Sequence, residues 1–372
     1  IVGTGPFTVD QYSVDQKLVL KRNPNSWRYD SEGNQLPYVD QLVYVFVQNS
    51  EVQLAQFQAG EIDHLQISGK DFPMLKQQEV DGADFEVLTG KPVNPTPSPT
   101  HLSFNFDVED EVLKEAFRTL EFREAMAHLI DRDRIIDDIY NTLAIESGMP
   151  VVPTNDAFYN LVIEEYRRDF NIEKARGILD DLGYEDTDND GIRELPNGED
   201  FEFNLTTAVD SQDRVDIASL LKDNMEEVGL KVNLNLIKGS LVFDKALAGE
   251  FESMVMAFGN QPDPQFRKAI WQPGRALYYW HLSTMAEEGP VMENMFDWEK
   301  EIFEMFEKGQ ITMEHSERRE YYDRWQVINA KKLPVIFITK GMDLYAVQDD
   351  IGNYYVNDDG VIVNVNYTVF KK

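Results

Sequence analysis

Gly3-Thr4-Gly5-Pro6-Phe7 opens the stretch that decides how this chain reads, and it runs on through Leu18-Val19-Leu20-Lys21-Arg22-Asn23-Pro24 and Ser26-Trp27 to Pro37-Tyr38-Val39-Asp40 and Leu54-Ala55-Gln56-Phe57-Gln58-Ala59-Gly60-Glu61-Ile62-Asp63. Alternating apolar positions predict two short strands, Phe7-Thr8-Val9 and residues 17–21, before a turn at Asn23-Pro24-Asn25-Ser26. Residues 41–47 are apolar on both alternating faces, which predicts a strand covered on both sides of its sheet. Ser50 is a suitable N-cap for a helix over 51–58, Gly60 a natural stop, and 62–67 the next strand. This β-α-β order predicts an α/β lobe.

Composition narrows the possibilities. The 372 residues suffice for two cores, and 42% hydrophobic with 12% aromatic residues describes a folded globular chain. Thirty-five basic against 67 acidic side chains leave a net charge of −32. That excess opposes nucleic-acid binding and docking on anionic lipid, both of which need basic surface. It reads as a solubilising surface, or as a field that attracts cationic ligands. The absence of cysteine removes disulfides, zinc–thiolate sites and thiol catalysis. No run of about 18 apolar residues is present to span a membrane. No signal peptide is visible, and Ile1 starts directly in strand-like sequence, so a fragment is expected.

Further along, four prolines between Lys91 and Thr100 predict a rigid extended crossing, with a hinge placed just after it in residues 101–106. Asp131 can end one helix and cap the next, whose apolar residues Ile135, Ile136, Ile139 and Leu143 recur at helical spacing. Arg123, Asp131 and Arg132 read as ion-pairing and capping residues rather than catalytic ones. Asn171 caps a helix over 172–182. A strand at 201–206, a helix at 212–228, a strand at 231–237, a helix at 241–248 and a strand at 251–258 then repeat the β-α-β order of a second α/β lobe. A helix over 316–330 and an apolar strand at 333–338 lead to a hairpin turn at Asp358-Asp359-Gly360, before a strand at 361–369.

In order and spacing the opening motifs, together with Phe122-Arg123-Glu124-Ala125-Met126 and Leu129-Ile130-Asp131-Arg132, resemble the extracellular solute-binding proteins of family 5. These are receptors of ABC importers for oligopeptides, dipeptides, nickel and some oligosaccharides. The resemblance implies an α/β, two-lobe, type II periplasmic-binding-protein-like fold with a hinge. It places lobe 1 at 1–102, lobe 2 at 103–335 and the return to lobe 1 at 336–372. In that family the opening motifs sit well inside the chain, so lobe 1 is expected to be incomplete. The resemblance further implies an extracytoplasmic location, a peptide or oligosaccharide ligand bound without catalysis, an ABC permease as partner, no nucleic acid and a monomer.

The ligand-facing stretch is expected at Phe258-Gly259-Asn260-Gln261-Pro262-Asp263-Pro264-Gln265-Phe266, extending to Trp271, because ligands gather beyond the carboxyl ends of strands. Phe258, Asn260, Gln261, Asp263, Phe266, Trp271 and Trp280 are the candidate contacts. Peptide-binding relatives commonly place an aspartate here, against the ligand's amino group. Asn260 and Gln261 are neutral and the run is one residue shorter, which leaves α-amino recognition in question. Neutral amides beside aromatic rings suit sugars as well.

Asp186-Thr187-Asp188-Asn189-Asp190-Gly191 matches the first half of a calcium loop, with the Ile192 carbonyl and Glu194 at positions 7 and 9. Position 12 is Asn197 instead of the bidentate glutamate, so no EF-hand is expected. The loop is either a hydrated acidic turn or a weak calcium site, and no cofactor is required. Enzymatic readings find no nucleophile–histidine pattern, phosphate loop or zinc motif. A glycoside-processing enzyme and a calcium-stabilised surface module stand as the alternatives.

Overall fold

The computed structural model describes residues 3–47, 49–89, 99–153, 155–259, 261–354 and 368–372. It divides into two compact units, residues 1–94 with 342–372, and residues 95–341.

In the first unit, β1 (Phe7–Ser13), β2 (Lys17–Arg22) and β3 (Gln41–Val45) form an antiparallel sheet in that order. The hairpin turn needs a left-handed residue, which Asp15 supplies at φ 55°. Helix α1 (Ser50–Gln58) is capped by Asn49, whose side chain accepts from Val52 N, and not by Ser50. After β4 (His64–Ile67), helix α2 (Phe72–Val80) and β5 (Phe85–Thr89), the late strand Leu344–Gln348 inserts between β4 and β5, antiparallel to both. The core gathers there: Phe57 packs edge-on against Phe85 at 5.2 Å, beside buried Leu75, Leu344 and Ala346.

β3 corrects one expectation. Among the described residues it pairs only with β2, and Val43 is 51% exposed, with Tyr44 and Val45 also exposed. Apolar residues on both faces of a strand did not here mean cover on both faces.

The second unit is built on a five-stranded sheet of order β11-β6-β10-β8-β9, from β6 (His101–Phe104), β8 (Glu202–Ala208), β9 (Lys231–Ile237), β10 (Ser253–Met256) and β11 (Ile336–Phe337). β8, β9 and β10 are mutually parallel, whereas β6 runs antiparallel to both β10 and β11. Helices α3 (Glu111–Arg118), α4 (Leu120–His128), α5 (Ile172–Asp181), α6 (Gln212–Glu227), α7 (Gly239–Ala248), α8 (Asp297–Ile311) and α9 (His315–Lys332) complete its main layers. Asn171 accepts from Lys174 N and Asp131 from Arg134 N, as capping residues should. Phe104, Phe117, Phe122, Phe201 and Phe203 pack ring to ring at 4.9–6.1 Å in the centre of the unit. Each such contact adds about 0.5–1.5 kcal/mol beyond burial.

Two boundaries move. Residues 101–106 are not a hinge: all of β6 is buried and laddered between β10 and β11, so the first boundary falls at 95 instead of 103. Residues 336–341 stay with the second unit, because β11 joins β6 and β12 (Thr339–Gly341) pairs with β7 (Ala144–Glu146); the return begins at 342 instead of 336. The two connections are tied together here: Thr100 N donates to Thr339 O at 2.8 Å, and Ile338 N to Thr100 O at 2.8 Å. Most of the proline-rich crossing and the expected hairpin at 358–360 lie outside the described residues.

Candidate functional site

β10 ends at Met256, and the chain then passes the carboxyl edge of the parallel strands. Phe258 turns inward, 6.0 Å from the His101 ring and 5.4 Å from Tyr279. Asn260 lies outside the described residues, and Gln261 is half-buried. Pro262 offers its carbonyl to Asn155 Nδ2 at 2.6 Å. Asp263 holds the turn: its carboxylate accepts from Gln265 N, capping the short 3-10 helix Pro264–Arg267, and takes both Arg318 Nη1 and Nη2 at 2.6 and 2.7 Å. A bidentate pair of this geometry fixes the segment against α9 and leaves Asp263 no free charge. Phe266, by contrast, is 76% exposed.

The two candidate tryptophans are core residues. Trp271 is 2% and Trp280 1% exposed, with ring centroids 6.0 Å apart; Trp271 also meets Phe337, and Trp280 meets Tyr278. The cause is local: the helical turn Lys268–Trp271 points its last residue back onto β6 and β11. Clustering in sequence does not reveal which side of a turn faces the sheet.

Beneath this edge lies a polar layer that sequence reasoning missed. His101 Nε2 meets Tyr279 Oη at 3.0 Å, and Tyr279 donates on to Ser103 Oγ at 2.7 Å. Burial holds His101 down to about 4, so its ring is neutral at pH 7. A second buried group joins His281 Nδ1 to Glu299 at 2.9–3.0 Å and Tyr278 Oη to Glu299 at 2.9 Å. His281 Nε2 lies 3.9 Å from Asp107 Oδ1. His281 and Glu299 are buried, while Asp107 is half-buried at the edge of this acid–histidine–acid arrangement. Arg123 is structural, but through carbonyls rather than ion pairs: it donates to Phe117, Thr119, Lys332 and Leu333.

In the acidic loop, Asp186, Asp188 and Glu194 bring carboxylate oxygens within 4.8 Å of one another. Asp190 turns away to accept from Ile192 N at 2.8 Å. Asp186 accepts from Asn189 and Gly191 N, and Glu194 from Thr187 N. Three carboxylates fit part of the shell of calcium, which takes roughly six to eight oxygens.

Fold and site define a class: an α/β two-lobe protein of the type II periplasmic-binding kind. The whole chain superposes on AppA, an oligopeptide-binding protein of Bacillus subtilis solved with a nonapeptide (TM-score 0.78, 18% identity, 99% of this chain and 66% of that one). It also superposes on MelB of Agrobacterium fabrum, solved with stachyose (TM-score 0.81, 21% identity, 99% and 57%). Residues 1–275 match the family described as bacterial extracellular solute-binding proteins, family 5 Middle, and the chain belongs to that family. A probable ABC transporter-binding protein of Deinococcus radiodurans is 29% identical over 239 residues, 64% of this chain and 40% of its own length. The periplasmic α-galactoside-binding protein of Rhizobium meliloti is 26% identical over 354 residues, 88% and 48%. The chain thus spans about half the length of these curated relatives.

Proposed function

We propose that this chain carries the ligand-binding function of an ABC importer's solute receptor, taking a short peptide or an oligosaccharide noncovalently and delivering it to a membrane permease. The family match over residues 1–275 carries the reading, supported by likeness across 99% of the chain to receptors solved with a nonapeptide and with stachyose. The ligand surface lies at the carboxyl edge of β8 and β10, with Gln261 and Phe266 among its contacts. Binding proceeds without turnover, as the family reading implies. The location is extracytoplasmic, the working form a monomer, and nucleic acid is not a partner, consistent with the net charge of −32. Among the described residues no helix is long and apolar enough to cross a membrane. The acidic loop takes calcium weakly, through Asp186, Asp188 and Glu194, as a stabilising and not a functional ion.

A thermal-shift screen against short peptides and neutral oligosaccharides tests the reading. A ligand at about 100 times its Kd adds about 2.7 kcal/mol to the native state, a shift of several degrees. Silence from every peptide and sugar would refute it.

A further inference from the structure

The turn between Leu195 and Glu199 belongs to a part of the second unit that ligand binding does not use. Asn197-Gly198 is the one place in the sequence where asparagine precedes glycine. Glu194 pairs with Asp200, and Leu195 N donates to Glu199 O at 2.8 Å, so the two residues sit at the tip of a short hairpin that feeds β8. Pro196, Asn197, Gly198 and Glu199 are all exposed.

The tip is organised by the Asn197 side chain. Glu199 N donates to Asn197 Oδ1 at 3.2 Å, an Asx turn that folds the carboxamide back towards the peptide group joining Asn197 to Gly198. The nitrogen of that peptide, Gly198 N, can attack the side-chain carbonyl carbon and close a five-membered ring. Gly198 stands at φ 84°, with no heavy atom within 4 Å of the place a Cβ would take, so neither a side chain nor a neighbour obstructs the closure. Its N–H donates to Leu195 O at 2.8 Å in this exposed turn, and loop-tip bonds of that kind open locally at little cost. Asn105, Asn155, Asn224 and Asn329 are buried instead, and each is followed by a residue with a side chain.

We propose that Asn197 is a site of spontaneous deamidation in the folded protein. Gly198 N loses its proton to solvent base and bonds to Asn197 Cγ; the Cγ–Nδ2 bond breaks, and the nitrogen takes up a proton and leaves as ammonia. Water then opens the resulting succinimide. Attack at Cγ leaves aspartate, and attack at the main-chain carbonyl leaves isoaspartate, so the net change is water in and ammonia out. Either product replaces the Asn197 Nδ2 donor to Glu199 Oε2, now at 2.8 Å, by a second negative charge beside that carboxylate. The change stops at the tip, because the base of the hairpin is held by Phe201 N to Arg193 O at 2.6 Å and Arg193 N to Gly229 O at 2.7 Å. The protein therefore accumulates an acidic form that stays folded.

Incubation of the folded protein at 37 °C, at pH 7 and at pH 9, beside a synthetic peptide of residues 193–201, tests the proposal. Peptide mapping by mass spectrometry reads the amide at each asparagine. Asn197 should lose its amide ahead of every other asparagine, faster at the higher pH, and at a rate within about tenfold of the free peptide's, since the restraining bond opens at little cost. Ion exchange should resolve the acidic form, with an unchanged Tm, and Asn197→Gln, whose ring would be six-membered and slow to close, should not produce it. Retention of the Asn197 amide in the folded protein overturns the proposal, and conversion in the peptide alone would identify the turn as a protecting one. Earlier conversion at another asparagine, or an acidic form that persists in Asn197→Gln, overturns it as well. The peptide map of the unsubstituted protein stands whatever the variant does.

Discussion

Replacing Arg123 by methionine tests how the second unit is held together. The guanidinium is buried and donates at 2.7–3.2 Å to four main-chain carbonyls, of Phe117 and Thr119 at the α3–α4 junction and of Lys332 and Leu333 at the end of α9. It also lies 4.8 Å over the Phe106 ring. Burial lowers its pKa only to about 10, so it is charged at pH 7 and each bond is charge-assisted. Methionine keeps much of the volume and removes every donor. A buried acceptor left unpaired costs about 1–3 kcal/mol, and Thr119 O retains a bond from Arg123 N, so about 3–5 kcal/mol is expected in all. For a unit of this size that is a fall in Tm of roughly 6–10 °C. Calorimetry of the R123M protein reads it directly. A fall under about 2 °C would refute the claim that these carbonyls depend on Arg123.

Four further outcomes are expected. His101 has a folded-state pKa near 4, below its unfolded value, so the folded protein binds fewer protons between those pH values and stability falls as pH drops from about 6.5 towards 4. His101→Asn should flatten the fall in Tm between pH 7 and pH 5; an unchanged slope would show that other groups carry it. Trp280→Ala should cost about 3–5 kcal/mol as a core deletion, whereas Phe266→Ala should leave urea unfolding within about 0.5 kcal/mol and weaken ligand binding. Equal stability loss in the two would contradict their placement. Calcium at 5 mM and a Kd near 1 mM should add about 1 kcal/mol, lost in Asp188→Asn; a shift that survives that substitution would place the ion elsewhere.

What the sequence made legible was chiefly local. Caps at Asp131 and Asn171 and the stop at Gly60, with capping bonds or a positive φ, follow from short-range chemistry, and the structure reproduces them. The β8-α6-β9-α7-β10 succession was legible for the same reason: period and punctuation agree along it. What failed depends on partners distant in the chain. Residues 101–106 look extended whether they bridge units or lie in a sheet, and only the pairing with residues 253–256 and 336–337 decides. Residues 333–338 suffer the same ambiguity. Trp271 and Trp280 were drawn to the ligand by their neighbours in sequence, whereas each other, Tyr278 and Phe337 hold them in the core.

The clasp between Thr100 and residues 338–339 has a consequence for modularity. The second unit begins and ends at neighbouring points of one ladder, so in topology it is an insert carried within the first. Excision demands joining or freeing ends that already lie side by side, the circumstance in which domain insertion and circular permutation succeed. Residues 95–341 therefore form a natural cassette: a segment whose folding information is largely self-contained and whose seam is a few hydrogen bonds wide.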